Sequence, residues 1–273
     1  MKLIEDNNKN MEVTFTSVRD FRKYLEQNKD FIHSNGSYAT INKDEIYDSY
    51  EYNGYWTGVK TWSDFEDGVL VDGDNNLRDV LKKSLKANEE MLATKYDLHT
   101  EYKFDVKGLF FDVGMLMSGE PEAWLEEVEI EEEKQTFLFK INGAQLSDCS
   151  SEDMAKGSGR ILAMASALEQ MNISTQIEYS FISSGTSQKN YKALHKTTII
   201  AKSYDDGLNF KSASIIMTPS FFRRGVFRIR ELTRLDDLDG YGSTDRSDKS
   251  YIDPLDNVKL NQLEYKLFGG LLK

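Results

Sequence analysis

The chain has 273 residues, with 46 Asp and Glu against 34 Lys and Arg, a formal charge of −12 and a pI near 4.9. Long-range repulsion at that charge excludes a general affinity for nucleic acid or anionic membrane, so that only a local basic patch could act against it. A hydrophobic content of 39% with 14 Tyr and 15 Phe excludes a wholly disordered chain, and one Cys and three His exclude a disulfide framework and speak against zinc.

The opening "MKLIEDNNKNMEV" lacks the apolar stretch of a secretory signal, and no run approaches the roughly 20 apolar residues of a membrane span. A soluble, cytoplasmic protein is the expectation, with no membrane partner. "EVTFT" is β-prone. In "SVRDFRKYLEQNKDF", Ser17 with Asp20 three residues on resembles a capping box, and Val18, Phe21, Tyr24 and Leu25 follow at helical spacing. Residues 37–55 read as loop with one short strand or helix.

Thr61 with Asp64 caps a short helix carrying Trp62, Phe65 and Val69, ended by "DGDNN". Trp56 and Trp62 read as core anchors rather than ligand-stacking rings. A longer amphipathic helix is expected from Asn76 to Thr94, with Leu77, Val80, Leu81, Leu85 and Met91 on one stripe.

From Asp97 strands are expected. "LHTEYKFDV", "AWLEEVEIEEE" and "QTFLFKIN" alternate, and the acidic run "EEVEIEEEK" reads as a solvated turn. In "FDVGMLMSGEPEAWLEE", Gly119 admits a positive φ, and Pro121 fixes its own φ and disfavours helix at Glu120. The word therefore reads as a corner launching the strand with Trp124, in preference to a two-glutamate catalytic motif.

The clearest unit follows. "TFLFKIN" is a strand and "SSEDMAKGSGRILAMASALEQM" a helix with Ser150 and Asp153 as its capping box. The stripe of that helix is Ile161, Met164, Ala165, Leu168 and Met171, and "NISTQIEYSFIS" after it alternates with Ile173, Ile177, Tyr179 and Phe181 on one side. A strand, helix and strand with so short a return form a parallel, right-handed βαβ crossover. "KTTIIAK" supplies another strand, and "GLNFKSASIIM" and "PSFFRRGVFRIREL" are helical with Pro219 between them. "DDLDGYGSTDRSDKSYIDP" is an acidic loop, and "NVKLNQLEYKLFGGLL" is the last element. The division expected is an N-terminal helical region, 1–96, and an α/β body, 97–273, which can also form one continuous domain.

Enzyme signatures are sparse. No Gly-x-Ser-x-Gly elbow follows a strand, and Cys149 with His195 is a weak Cys/His pair. "KGSGR" lacks the phosphate-loop spacing, so its glycines either let the helix approach a neighbouring backbone or leave Lys156 and Arg160 to attract an anion at the helix N-terminus. At the strand end, "INGAQLSDCSSED" lacks the Asp-x-Ser-x-Ser of a von Willebrand factor A domain, although the strand-helix-strand order is similar to that fold. No metal, no cofactor and no catalytic residue is expected. "FFRRGVFRIRELTR" collects Arg223, Arg224, Arg228, Arg230 and Arg234. It is either a docking site for phosphates or an acidic partner, or a set of internal salt bridges to residues such as Glu231, the reading the acidic excess favours.

With "WTGVKTWSDFEDGVLVDG", "FDVGMLMSGEPEAWLE", "SGRILAMASALEQMNISTQIE" and "MTPSFFRRGVFRIRE" in view, the chain resembles a family of uncharacterised proteins of tailed bacteriophages and prophages. Two departures stand out. Thr218 occupies the place where His precedes Pro in that family, and Ser158-Gly159-Arg160 replaces its Arg-Gly helix start. The resemblance implies a phage context and no reaction.

The expected fold is α/β, a mixed sheet with a Rossmann-like, von Willebrand A-like βαβ core and an N-terminal helical α+β extension. The expected function is that of a non-enzymatic interaction protein binding a phage or host protein in the host cytoplasm or in the virion. The alternatives are a nucleic-acid or nucleotide-phosphate binder through Arg223, Arg224, Arg228, Lys156 and Arg160, and a metal-dependent hydrolase using Asp148 and Glu120.

Overall fold

A computed structural model describes residues 2–5, 10–28, 59, 61–96, 135–144, 150–186, 192–207, 209–233, 243–244 and 250–271. Strands β1 (Lys2–Glu5) and β2 (Met11–Phe15) precede helix α1 (Val18–Gln27). Helix α2 is a π-helical stretch, Asp64–Val69, running on into Leu70–Asp72. The next elements are α3 (Asn75–Tyr96), β3 (Thr136–Asn142), α4 (Ser151–Gln170), β4 (Ser174–Thr186), β5 (Lys192–Lys202) and α5 (Phe210–Ile216). Helix α6 joins a π-helical Phe221–Val226 to an α-helical Phe227–Thr233. After it come the two-residue β6 (Ser243–Thr244) and α7 (Asn257–Phe268).

The sheet order is β1-β2-β5-β4-β3, with β6 pairing β4. β3–α4–β4 is the expected parallel crossover, with Phe139 opposite Ile177 and Ile141 opposite Tyr179. β4 and β5 are antiparallel, β2 lies parallel to β5, and β1 antiparallel to β2. This is a mixed α/β fold. β1 and β2 belong to the same sheet as the later strands, and Val13 and Phe15 share one core cluster with Phe139, Tyr179 and Phe268.

Alternation divides the sheet by face. Val13, Phe15, Phe139, Ile141, Ile177, Tyr179, Phe181 and Ile199 are buried on one side. The other side carries cross-strand polar pairs, Ser180 with Thr198 at 2.9 Å and Lys196 with Glu12 at 2.6 Å. One irregularity breaks the register. Glu178 pairs Ile200 but Ile177 pairs Lys202, so β5 holds an extra residue there, and the bulge turns Lys202 onto the buried side.

Local signals explain the helix starts. Ser17 Oγ accepts from the Asp20 amide at 3.1 Å, while the Asp20 carboxylate accepts from the Thr16 amide rather than closing back on Ser17. The reciprocal Thr61–Asp64 box forms at 3.0 Å in both directions. Ser17→Ala is expected to cost about 1 kcal/mol, seen as a melting temperature lower by roughly 2–4 °C.

Several expectations change. Ser150 caps α4 by accepting from the Glu152 amide at 3.2 Å. Met91 is exposed and Leu92 takes its place in the core, because Leu77, Leu81 and Leu92 track the inner face more closely than position 91. Met171 lies just past the end of α4 and is exposed. α4 has no single stripe. Ile161, Leu162, Ala163, Met164 and Ala165 are all buried, since α4 meets β4, α3 and α7. Within the acidic loop, Ser243–Thr244 pairs β4, and Ile252 bridges the outer edge of β3 through Lys140 and Asn142. The Gly119-Glu120-Pro121 word with Trp124, together with Trp56, Asp148, Cys149 and Arg234, lies outside the described residues.

Candidate functional site

The arginine-rich segment is where the sequence departs most from its acidic average, and α6 carries it. Thr218 Oγ1 accepts from the Phe221 amide at 3.1 Å and Pro219 sits in the first turn, so Pro219 begins this helix as well as ending the one before. Phe221 packs on Phe21 with centroids 4.6 Å apart, and Phe222 stacks on Phe181 at 5.6 Å. A Cβ on Gly225 would stand 2.8 Å from Phe65 and 2.9 Å from Phe21, so the glycine is what lets the π-helical turn sit on those rings.

That seating takes the arginines inside. Arg223, the most exposed of four, keeps 5% of its surface, and Arg224, Arg228 and Arg230 keep less. Arg224 donates to the Val59 carbonyl and Arg228 to the Asn28 carbonyl, both at 3.1 Å. Asn28 caps the C-terminus of α1, where a cation complements the helix dipole. Arg228 also pairs with buried Glu231 at 3.1 Å, the internal partner named from the sequence. Arg230 donates to Ser183 Oγ at 2.8 Å. These side chains brace the N-terminal segments and the sheet from within.

His195 is Ser183's cross-strand partner and is also buried. Its Nε2 lies 2.9 Å from Thr233 Oγ1, whose own proton is given to the Ile229 carbonyl. Nε2 therefore carries the hydrogen and donates, so this nitrogen is not a base for a nucleophile.

The other basic candidates separate. Lys156 is exposed, 3.0 Å from Glu152 and 3.6 Å from Asp153 in its own helix. Those carboxylates occupy the first turn of α4, where an anion would have to compete with them. Arg160 turns to α7, reaching Asn261 at 2.6 Å and Glu264 at 2.5 Å. The glycines of "KGSGR" are packing positions. A Cβ on Gly159 would stand 2.6 Å from Ser84 of α3, and one on Gly157 would strike the Pro254 backbone.

Glu264 was not singled out from the sequence. It is fully buried and accepts from Lys95 at 2.7 Å, Tyr96 at 3.1 Å and Arg160, tying α3, α4 and α7 together. Burial pushes the Glu264 carboxyl up, but the hydrogen bonds from Lys95 and Arg160, the Arg160 charge and the Tyr96 bond outweigh it and hold the group below the usual carboxylate range. The signal was present in "LNQLEYKLF", where Glu264 falls four residues from both Leu260 and Phe268 on the apolar stripe.

The family described as a domain of unknown function, DUF7192, matches residues 4–265. The chain belongs to DUF7192. The DUF7192 match begins within β1 and takes in β2, the arginine helix α6 and Glu264 together. No curated protein and no solved structure matches the chain. Among the described residues of this DUF7192 protein, no group of His, Cys, Asp and Glu is placed to hold a metal ion. No described helix is long and apolar enough to cross a membrane.

Proposed function

We propose that the chain is a non-enzymatic interaction protein of bacteriophage origin that binds a phage or host protein in the host cytoplasm. The observation that carries this reading is the outer face of α7. Val258 and Tyr265 are 65% and 66% exposed and stand seven residues apart, two turns along one side of the helix. Single exposed apolar residues need no explanation, but an aliphatic and an aromatic residue in line make the kind of patch that anchors a partner. The phage context is supported by the four sequence words given above, and likeness of the βαβ unit to a metal-free von Willebrand A domain belongs to the same reading.

The phosphate-binding alternative has weaker support, because Arg223, Arg224 and Arg228 are buried and Arg160 is engaged by Glu264. Affinity capture with wild type and with Val258→Glu/Tyr265→Glu tests the first reading. A protein partner held by the wild type and lost by the variant, then reconstituted from purified components, is the expected result. Capture of the same partner by both moves the interface away from α7, and metal- or nucleotide-dependent turnover by the purified chain would sink the interaction reading. Salt-dependent DNA or RNA binding that falls in a folded Arg223→Ala/Arg224→Ala variant would favour the alternative.

A further inference from the structure

A cleft of about 250 Å³ opens on the buried side of the sheet, away from α7. Its walls are Leu85 and Glu89 of α3, Leu162, Ala165, Ser166 and Glu169 of α4, and Phe210 of α5; Ile177 and Lys202 close its floor. Glu89 follows Leu85 by one turn, and the four α4 residues fall at i, i+3, i+4 and i+7, so each helix presents one face. The floor exists because of the β5 bulge, which brings Lys202 opposite Ile177.

The charges in the cleft are unequal. Lys202 Nζ has three acceptors, Glu169 Oε1 at 2.5 Å, the Thr175 carbonyl at 2.8 Å and the Ser203 carbonyl at 3.1 Å. An ammonium has three protons, so Lys202 has no donor left for a ligand. Glu169 Oε1 already takes a second bond, from Thr175 Oγ1 at 2.7 Å. Glu169 Oε2 and both Glu89 oxygens have no partner among the described residues. Among the lining residues Glu89 and Glu169 stand against one Lys, a net charge of −1 before the Lys82 ammonium over Phe210 is counted. Phe210 adds an aromatic face that already attracts a cation, Lys82 Nζ lying 5.9 Å from its centroid.

We propose that this cleft binds a small organic amine with an apolar body, its hydrocarbon part against Leu85, Leu162, Ile177 and Phe210 and its ammonium toward Glu89 and Glu169. At about 30 Å³ for each water-sized group the volume admits roughly eight non-hydrogen atoms, the size of benzylamine. A ligand of that size binds with a Kd on the order of 1 mM. An anion would meet two carboxylates and a lysine with no free proton, which sets the selectivity.

The test titrates the full chain with benzylamine, benzyl alcohol and benzoate, followed by backbone amide shifts and melting temperature. Benzylamine is expected to bind at least about fivefold more tightly than the other two, to raise the melting temperature by roughly 3–6 °C at tenfold excess over Kd, and to shift the amides of Leu162, Ala165, Ile177 and Phe210. Glu89→Gln, at a partly exposed position, is expected to weaken benzylamine about fivefold and leave benzyl alcohol unchanged. Ser166→Leu fills the cleft and abolishes all three. Should Ser166→Leu not fold, wild type and Glu89→Gln decide by themselves. Benzoate binding as tightly as the amine, amine affinity indifferent to Glu89→Gln, amide shifts elsewhere, or no binding at tens of millimolar would each overturn the proposal. None of these results bears on the α7 face.

Discussion

Replacing Glu264 with Ala is expected to lower the unfolding free energy by about 3 kcal/mol, a fall in melting temperature of roughly 6–12 °C for a chain of this size. Removing one member of a buried ion pair costs about 3–5 kcal/mol, because the other charge is left desolvated without compensation. The lower end applies here. Arg160 and Lys95 side chains are 15% and 51% exposed, so both cations can recover water once the carboxylate is gone. Glu264→Gln keeps an acceptor and is expected to cost less, roughly 2 kcal/mol.

The pH dependence follows from the lowered carboxyl. A folded-state value below the ordinary 4.5 means that the unfolded chain binds this proton more readily. The stabilisation from Glu264 is therefore fully present above about pH 4.5 and fades as pH falls through the folded value. Denaturant unfolding of wild type and Glu264→Gln at a series of pH values would show a constant gap above that point and a shrinking one below. A gap that widens on acidification would contradict the assigned geometry.

Gly157→Val is expected to cost about 3 kcal/mol, at the upper end for overpacking. A Cβ at this position would lie within 2.6 Å of the Pro254 carbonyl carbon and closer still to its oxygen, and backbone cannot rotate aside as a side chain can. The obstacle is also anchored. Ile252, two residues before Pro254, donates to Lys140 at 2.7 Å and accepts from Asn142 at 2.9 Å, so moving the turn strains the edge of β3. Gly68, on α2, provides the contrast, with nothing within 4 Å of its Cβ position. Alanine is worth about 1 kcal/mol over glycine in a helix, so Gly68→Ala should be neutral or stabilising, while Gly157→Ala should lose more to contact than it gains. Equal melting temperatures for Gly157→Ala and wild type would refute close approach of the two backbones.

Much of the framework was legible from local pattern. The caps at Ser17 and Thr61, the period-2 alternation of Ile177, Tyr179 and Phe181, and the short return after α4 all express rules acting within a few residues, and each is present in the fold. Where the periodic reading slipped, as with Met91 for Leu92, the neighbouring element selected the face. The single stripe drawn on α4 failed for the same reason, since a helix packed on three sides has no one apolar face.

Sequence by itself determined that the chain has the apolar content for a core, where its helices begin, and that one parallel βαβ unit lies in a mixed α/β fold. Only the tertiary structure decided what its polar residues do. Five arginines in twelve residues left a surface dock and internal pairing both open from sequence, with the acidic excess favouring pairing, and the described ones turn inward because Gly225 and the π-helical turn seat α6 on Phe21 and Phe65. "KGSGR" left close approach and an anion site both open from sequence, and the structure makes its glycines spaces for Ser84 and Pro254. Lys202 reads as a strand-end lysine, yet a one-residue bulge turns it to the floor of a cleft. Hydrogen-bonding capacity is written in the residue type, but its partner comes from another segment, often more than a hundred residues away, and only packing brings that partner within reach.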